Sequence, residues 1–416
     1  KGPNMLSDPY EILIRFRNRI HALSTDVTKA YHALRTGIIE MHLRRVMYRK
    51  STQHPWQTYG FLCVSFGDIP AQVFLECCLR KVAKEYSYID ELAALIILLD
   101  RFVDDLPSGS DLRSDIVRLR GEILDSWQTT GTLAAIMGKG GFLLKVIACS
   151  GDPNGPMVQK LGGAILGIRW DTESDRLSVP LTVNISPRRR GSPTGQDITL
   201  DTINTLEGAV YTRRICLSIT MSLYDPLGFI TPLTIRLKWM LQQLSTAEGI
   251  KGWDDELSIE QKQPWAQLLS EMVTQGSISF PRSCKPEDID LLQAAILIVF
   301  MDGSDVAKAF AAYIRYILLS GLAHVSLLSS KAKLNTAGGQ STPRSELDGH
   351  TLGARGTRNI TTALKDVTPR ITKVYLIGDS RTILQALEAG AAPFSEWFAN
   401  RIGEIYDCLK ELPGEI

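Results

Sequence analysis

The spacing of apolar residues predicts helices in three segments of the chain. "SDPYEILIRFRNRIHAL" (7–23) opens with Ser and Asp, residues that cap helices, and continues with apolar residues at helical intervals. "AQVFLECCLRKVAKEY" (71–86) predicts an amphipathic helix. "TRRICLSITMSLYDPLGFITPLTIRLKWMLQQL" (212–244) predicts two helices, because the prolines and the glycine of "YDPLGFITP" forbid a continuous one. The predicted apolar face of the second segment consists of Ala71, Phe74, Leu75, Cys78 and Val82.

Short apolar runs between turn residues predict a second, strand-rich part near residue 290. "AAILIVFMDGS" (294–304) predicts a buried strand that ends in an acid, and 310–320 and 324–334 predict its antiparallel neighbours. "TPRSELDGHTLGARGTRNI" (342–360) predicts a helix with Pro343 in its first turn. "KVYLIGDSRTILQALEAG" (373–390) predicts a strand, an acid and a helix. Near residue 100, "RFVDDL" predicts a strand that runs into a turn at "PSGSD".

Length and composition indicate a globular protein of several domains. With 416 residues the chain is too long for one ordinary core, and two to four domains are expected. The longest apolar runs are too short to cross a bilayer, so no membrane partner is expected. Several of the cysteines lie in apolar runs and no C-x-x-C pair exists, which predicts buried thiols in a reducing compartment. The net charge of +1 leaves a nucleic-acid partner open, because basic clusters occur locally at 15–19, 44–50 and 188–190. Taken singly, each cluster is more often a solvated face.

Three acids in the first part suggest a metal site. Asp104 and Asp105 are adjacent, and their like charges repel unless a cation lies between them. Asp26 ends a short apolar segment and is followed by the aromatic Tyr31. We call Asp26, Asp104 and Asp105 the first triad. Taken singly, Asp26 could be a helix N-cap and the adjacent pair an acidic turn.

The order of these motifs resembles that of the reverse transcriptases. "DVTKAY", a glycine-containing turn in "FGDIPAQVF" (66–74) and "FVDD" follow one another as they do in that family. The resemblance implies that Asp26 and Asp104 bridge two Mg²⁺ ions (Mn²⁺ being possible), with Asp105 supporting the turn or one metal, for two-metal nucleotidyl transfer. It also implies that Tyr31 discriminates against ribonucleotides. The residues that it places at the nucleotide are Tyr31, Phe66, Gly67 and Gln72, and those that it places at the nucleic acid are Lys145, Gly167 and Trp170.

A second set of acids resembles the catalytic set of ribonuclease H. Asp302 ends a predicted strand, Glu346 lies in the first predicted helix after it, and Asp379 ends a later strand. We call these three residues the second triad. The resemblance implies a Mg²⁺ cage for hydrolysis of RNA in an RNA/DNA hybrid, in which at least one acid has a raised pKa when no metal is bound. Asp348 is expected to face away from Glu346, and His350 to be a helix-surface residue. The fourth acid of that family has no convincing counterpart here, so slow cleavage or none is expected.

The block 212–242 resembles the BEL/Pao class of long-terminal-repeat retrotransposons, in the segment known as the Pao retrotransposon peptidase family. An aspartic peptidase is disfavoured because the Asp-Ser/Thr-Gly signature is absent. The resemblance implies an α/β fold with a reverse-transcriptase palm at 1–150, without the fingers that precede Asp26 in that family. A primer grip, thumb and connection at 151–285 and a ribonuclease H-like domain at 286–416 follow.

The retrotransposon resemblance also implies partners and a location. The partners are an RNA template, a DNA primer, an RNA/DNA hybrid, dNTPs and the flanking gag, protease and integrase portions of a polyprotein. The expected location is a cytoplasmic retroelement particle. A catalytically inactive or domesticated nucleic-acid-binding remnant is the alternative.

Overall fold

The computed structural model describes residues 5–65, 67–124, 129–152, 164–183, 196–197, 199, 201, 203, 211–246, 252–337, 339–410 and 412. The chain divides into two compact units, which are residues 1–161 with 172–174 and residues 162–171 with 175–416. Each unit mixes helices and sheets, so the predicted α/β class is confirmed. None of the described helices is both long and apolar enough to span a bilayer.

The first unit packs helices against a small antiparallel sheet. Strand β1 lies at the centre of this sheet and pairs with β4, β5 and β6, while β2 and β3 form a separate hairpin. The helices of this unit are α1 (Pro9–Arg17), α2 (Ala30–Ala33), α3 (Ile38–Leu43), α4 (Ala71–Glu85), α5 (Glu91–Leu99), α6 (Arg113–Arg120) and α7 (Thr132–Lys139). The strands are β1 (His21–Thr28), β2 (Arg45–Tyr48), β3 (Gln57–Gly60), β4 (Asp105–Ser110), β5 (Leu143–Leu144) and β6 (Ala148–Cys149).

Helix α4 exists where it was predicted, but its buried face matches the predicted face only in part. Leu75, Leu79 and Ala83 recur every fourth residue and are buried. Phe74 is 47% exposed, and Cys78 is exposed as well. The prediction of buried Ala71 and Leu75 is therefore confirmed, and that of buried Phe74 and Cys78 was wrong, because alternative apolar stripes overlap on this helix.

The strand predicted at "RFVDDL" is a turn, and the turn predicted at "PSGSD" is a strand. The backbone groups of Phe102 and Asp105 bond to each other in both directions, at 2.9 and 3.0 Å, which closes a tight turn. Val103 in that turn has φ 57°, a conformation that is strained for a β-branched residue. Strand β4 then begins at Asp105, and its polar residues pair with β1 in the buried sheet. Tertiary pairing thus overrides the turn composition.

The cysteines and the first basic cluster also have defined places. Cys149, Cys216, Cys284 and Cys408 are buried as predicted, whereas Cys77 and Cys78 are exposed, and all the cysteines are free thiols. Arg17 in the cluster 15–19 is buried, and Arg15 pairs with Asp100 at 2.6 Å. This cluster is therefore structural.

The second unit contains the longer helices and a mixed sheet. Its helices are α8 (Arg213–Ser222), α9 (Thr231–Thr246), α10 (Ile259–Gln275), α11 (Thr342–Leu364), α12 (Arg381–Ala389) and α13 (Glu396–Leu409). Its shorter strands are β7 (Ala164–Ile165), β8 (Ile168–Asp171), β9 (Arg176–Val179), β10 (Thr182–Val183), β11 (Gln196–Asp197) and β12 (Ile278–Pro281). Its longer strands are β13 (Ala295–Gly303), β14 (Ala307–Ile317), β15 (Ala323–Leu334) and β16 (Ile371–Ile377).

The mixed sheet has the strand order β15-β14-β13-β16. Strand β13 is antiparallel to β14 and parallel to β16, which follows helix α11. The strands and helices predicted from residue 294 onward are confirmed, including the proline in the first turn of α11.

The predicted break between α8 and α9 is also confirmed, and it forms an ordered loop. The Asp225 carboxylate accepts hydrogen bonds from the backbone N–H groups of Gly228, Phe229 and Ile230 at 2.7–2.9 Å. Ser330 of β15 donates its backbone N–H to the Leu227 carbonyl at 2.8 Å and its hydroxyl to the Gly228 carbonyl at 2.5 Å. The loop therefore joins α9 to the edge of the mixed sheet.

Candidate active sites

The first triad lies where β1 meets the turn before β4. Asp26 is the register partner of Asp105 across the antiparallel pair. The Val27 N–H donates to the Asp104 carbonyl at 2.9 Å, which fixes the turn beside β1. The fold therefore brings Asp26 to the same end of a strand pair as Asp104 and Asp105, which are distant from it in sequence.

Lys145 is a cationic residue that forms an ion pair with Asp26 of this triad. Its Nζ donates to Asp26 Oδ2 at 2.7 Å, and its backbone N–H donates to the Asp26 carbonyl at 2.9 Å. The Thr25 hydroxyl donates to the Lys145 carbonyl at 2.8 Å. Lys145, predicted from the resemblance to contact nucleic acid, is thus held against Asp26 by side chain and backbone.

The first triad carries repulsive charge that its surroundings do not fully offset. Burial raises the pKa of Asp104, and the charge of Asp26 adds to the effect. Burial, then Asp104 and then Asp26 raise the pKa of Asp105 to about 6. Burial and the charge of Asp104 also raise the pKa of Tyr31.

Asp105→Asn should stabilise the metal-free protein above pH 6 and leave it unchanged near pH 4. The pKa of Asp105 rises from 3.8 to about 6 on folding, so its ionisation opposes folding only as pH increases through that interval. The gain in the free energy of unfolding should reach about 2 kcal/mol, a value reduced because the side chain is partly exposed to solvent. Urea unfolding at several pH values in a chelator measures it. Glu91→Gln, at an exposed carboxylate of α5, is the control; a gain that is independent of pH would contradict the prediction.

The other residues that the reverse-transcriptase resemblance singles out have varied positions. Gly67 has φ 88° in the turn before α4, a conformation that suits glycine, and Gln72 is exposed in the first turn of α4. Gly167 has φ 87° in the β7–β8 turn, where a Cβ would lie 2.4 Å from the Tyr224 ring. Phe66 lies outside the described residues.

Trp170 requires a correction. It was predicted to contact nucleic acid, but it is only 2% exposed, and its Nε1–H donates to Asp175 Oδ1 at 2.9 Å. Its position on β8 puts the indole on the buried side of the sheet, so it is a core residue.

The second triad forms a compact cluster at the end of two parallel strands. Phe300 of β13 pairs with Ile377 of β16, and Asp302 and Asp379 each follow two residues later. Glu346 comes from the first turns of α11. Each of the three acids offers one carboxylate oxygen, and these oxygens all lie within 4.8 Å of one another. Within the described part of the chain, no other group of three acid, His or Cys ligands is this close, and the first triad does not qualify.

Two glycines allow α11 to approach β13 closely enough to deliver Glu346. A Cβ at Gly303 would lie 2.3 Å from the Ser345 carbonyl oxygen, and one at Gly349 would lie 2.4 Å from the Asp302 carbonyl oxygen. The Ser345 hydroxyl donates to the Ser304 carbonyl at 2.6 Å and fixes the start of the helix. The backbones thus set the position of Glu346 relative to Asp302.

The electrostatics of the second triad fit a divalent cation. Burial, then Asp379 and then Asp302 raise the pKa of Glu346, which agrees with the raised pKa expected for one acid of this set. The Oε2 atom of Glu346 is buried without a hydrogen-bond partner among the described residues. An all-carboxylate donor set suits hard cations such as Mg²⁺ or Mn²⁺, and such a cation would neutralise the repulsion.

Asp348 is separate from the triad, as predicted. It accepts hydrogen bonds from Lys308, Gln340 Nε2 (3.1 Å) and Arg401 Nε (2.9 Å). Burial alone would raise the pKa of Asp348, but these hydrogen bonds outweigh it and the pKa is lowered. Asp348 therefore ties α11 to β14 and α13.

His350 is not the surface residue that was predicted. It is only 2% exposed, because it lies on the face of α11 that packs against the sheet. Burial lowers the pKa of His350, although the charges of Asp379 and Asp302 act in the opposite direction. Helical spacing from Glu346, four residues earlier, would have placed the two side chains on one face.

The sequence reasoning also missed a buried ion pair behind the first triad. Arg101 donates to both oxygens of Glu76 at 2.9 and 2.8 Å, and both side chains are only 2% exposed. Arg101 also donates to the Val103 carbonyl at 3.0 Å, inside the strained turn. The signal was the single acid on the apolar side of α4.

A family model matches part of the second unit. Residues 212–380 match the family model described as a Pao retrotransposon-like RNaseH-like domain, and the match includes the whole second triad. No curated protein matches the chain.

Two solved structures of a foamy viral protease-reverse transcriptase are similar at 13% identity. One, in complex with an RNA/DNA hybrid, has a TM-score of 0.49 over 99% of this chain and 45% of that one. The other, the dRH form in complex with double-stranded DNA, has a TM-score of 0.48 over 100% of this chain and 59% of that one. The chain thus spans about half the length of these structures.

Residues 212–380 form an RNase H-like domain. This match covers less than half of the chain, and it supports the resemblance to Pao-class retroelements that the sequence indicated.

Proposed function

We propose that the second triad hydrolyses the RNA strand of an RNA/DNA hybrid, using two Mg²⁺ or Mn²⁺ ions. The observation that supports this proposal is the convergence of Asp302, Glu346 and Asp379 within 4.8 Å in an RNase H-like domain. Bound metal would supply an activated water and stabilise the charge of the departing oxygen. The protein holds the carboxylates in place and leaves Asp302 and Asp379 exposed to a substrate.

Cleavage of a labelled RNA/DNA hybrid by the 416-residue chain tests this function. Divalent-metal-dependent shortening of the RNA strand, with double-stranded DNA untouched, is the supporting result. The absence of cleavage at any concentration of Mg²⁺ or Mn²⁺, both by this chain and by a protein extended past Ile416, would contradict the proposal.

The proposal includes RNA-directed DNA synthesis by the first triad. Its support is the shared position of Asp26, Asp104 and Asp105 and the effect of the Asp104 charge on the pKa of Tyr31. The partners would then be an RNA template, a DNA primer and dNTPs. The flanking gag, protease and integrase portions of the polyprotein and a cytoplasmic retroelement particle belong to the same proposal.

In a Pol protein that includes the fingers, Asp104→Asn should reduce DNA synthesis at least about a thousandfold and leave template binding intact, because a metal ligand is lost. Tyr31→Val in the same protein should admit ribonucleotides, since the ring would no longer block a 2′-hydroxyl. Primer extension with dNTPs and with rNTPs measures both effects. Synthesis that survives Asp104→Asn would remove the first triad from catalysis.

A second candidate function is nucleic-acid binding without polymerisation. The observation that favours it is the Lys145–Asp26 pair at 2.7 Å, because the ammonium group already neutralises a carboxylate that a metal would need. Failure of the unmodified Pol protein to extend a primer, combined with tight template binding, would establish this alternative.

The β2–β3 hairpin, with its connecting residues 49–56, offers a surface for a single-stranded nucleic acid. All residues of both strands are exposed, including Met47, Tyr48 and Tyr59. The Arg49 guanidinium lies 4.5 Å from the centre of the Trp56 ring, which is 55% exposed. Aromatic rings stack on bases, and arginines contact phosphates, so the combination suits a nucleic-acid strand.

Trp56→Ala should weaken binding of a single-stranded oligonucleotide by about tenfold, since one stacked base contributes about 1–3 kcal/mol. Arg49→Ala should weaken this binding and reduce the slope of the logarithm of the binding constant against the logarithm of the salt concentration by about one. Trp253→Ala is the control, because Trp253 is 43% exposed and lies 4.3 Å from Arg213 in a similar pair, but next to Asp254. Fluorescence anisotropy measures binding; equal losses for Trp56 and Trp253 would contradict the assignment.

A further inference from the structure

The His350 ring lies between the backbone at Glu346 and the residue before Asp379, two members of the second triad. Its Nδ1 lies 2.8 Å from the backbone carbonyl oxygen of Glu346, one helical turn earlier. A carbonyl oxygen can only accept, so Nδ1 donates the hydrogen and the neutral ring has a bare Nε2. One edge of the imidazole is therefore fixed to the backbone of Glu346.

The opposite edge of the ring abuts the residue before Asp379. A Cβ at Gly378 would lie 2.2 Å from His350 Nε2 and 2.7 Å from its Cε1, so a side chain at residue 378 collides with the ring. The Nε2 atom has no hydrogen-bond partner among the described residues, and the ring is only 2% exposed. The imidazole thus fills the space between α11 and the end of β16.

We propose that His350 is a positioning residue that sets the separation of the Glu346 and Asp379 carboxylates for a divalent cation. The proposal rests on the metal binding proposed above for the second triad. Three carboxylates within 4.8 Å repel one another, so without a cation the packing behind them must hold them together. Mg²⁺ demands near-ideal geometry, which makes its affinity sensitive to small shifts of a ligand.

A cycle of variants separates this role from a general contribution to stability. The variants are His350→Ala, Gly378→Ala, the double variant and Gly356→Ala. The last is a matched control on the same helix, because its added Cβ would lie 2.5 Å from the Phe310 ring, away from Glu346. The probe is Mn²⁺, with the free ion counted by electron paramagnetic resonance. The protein carrying Asp302→Asn, Glu346→Gln and Asp379→Asn together provides the blank, and the urea midpoint is recorded for each variant.

His350→Ala and Gly378→Ala should each weaken Mn²⁺ binding at the second triad by about ten- to a hundredfold, the usual effect of losing support behind a ligand. The double variant should bind more tightly than Gly378→Ala alone, because removal of the ring makes room for the new methyl group. Gly356→Ala should lower the urea midpoint and leave the Mn²⁺ affinity within about twofold of the unmodified protein.

Affinities within twofold of the unmodified protein for both His350→Ala and Gly378→Ala would overturn the inference. So would equal weakening by Gly356→Ala at a similar urea midpoint, because the effect would then follow stability. If the unmodified protein binds no more Mn²⁺ than the blank, the proposed metal site itself fails, which is a distinguishable result.

Discussion

Glu346→Gln should reduce divalent-metal-dependent cleavage of an RNA/DNA hybrid by about a thousandfold, equivalent to about 4 kcal/mol of transition-state stabilisation. The glutamine keeps the shape of the side chain but removes the charge that would hold the cation. Stability should not fall in a chelator, because the pKa of Glu346 is raised by burial and by two neighbouring acids, so its ionised form opposes folding. Single-turnover cleavage and urea unfolding measure the two effects.

The control for this experiment is Asp348→Asn, which changes an acid two residues away on the same helix. Asp348 accepts hydrogen bonds from Lys308, Gln340 and Arg401 and is not part of the triad. Asp348→Asn should therefore lower mainly the free energy of unfolding and have a smaller effect on the cleavage rate of the folded protein. If Asp348→Asn lowered cleavage as much as Glu346→Gln does, the assignment of the triad would be wrong.

Glu76→Gln should lower the free energy of unfolding by about 3–5 kcal/mol, the usual cost of leaving a buried charge without its partner. Arg101 would keep its charge at 2% exposure and lose its bidentate acceptor. The double variant Glu76→Leu/Arg101→Met removes both charges and should lie within about 2 kcal/mol of the unmodified protein. Urea unfolding measures all three proteins.

Asp407→Asn provides the matched surface comparison. Asp407 pairs with Lys410 at 2.6 Å, but the two side chains are 66% and 72% exposed, so the loss should be at most about 1 kcal/mol. A cost for Glu76→Gln no larger than that for Asp407→Asn would show that the buried pair is not needed. Glu76→Gln also tests the turn before β4, since Arg101 donates a hydrogen bond to the Val103 carbonyl in that turn.

The second triad could be predicted because its acids follow simple patterns. Asp302 and Asp379 each follow an apolar run that reads as a buried strand, and Glu346 lies one turn into a helix that begins at a proline. Strand ends and helix starts are local features, so the sequence alone identifies them. That the three carboxylates meet within 4.8 Å required the parallel pairing of β13 with β16.

The remaining features depend on contacts between distant residues. Trp170 was placed at the nucleic acid by the resemblance and His350 at the helix surface by its polar ring, yet each is only 2% exposed. Glu76 became a core residue only because Arg101, 25 positions later, is buried beside it. The "PSGSD" strand forms because β1 supplies a pairing partner, and turn propensities of the local sequence do not include such a contact.

The loop between α8 and α9 also bears on solubility. Strand β15 is an edge of the mixed sheet, and unpaired edges recruit strands from other molecules. The Leu227 and Gly228 carbonyls engage Ser330 on that edge, and Gly228, at φ 81°, comes so close that a Cβ would lie 1.8 Å from the Ser330 carbonyl oxygen. The loop therefore acts as a cover against intermolecular β-pairing. A protein trimmed to begin after residue 230 would retain the second triad but expose this edge. Such a protein would fail through aggregation and not through the loss of catalytic residues.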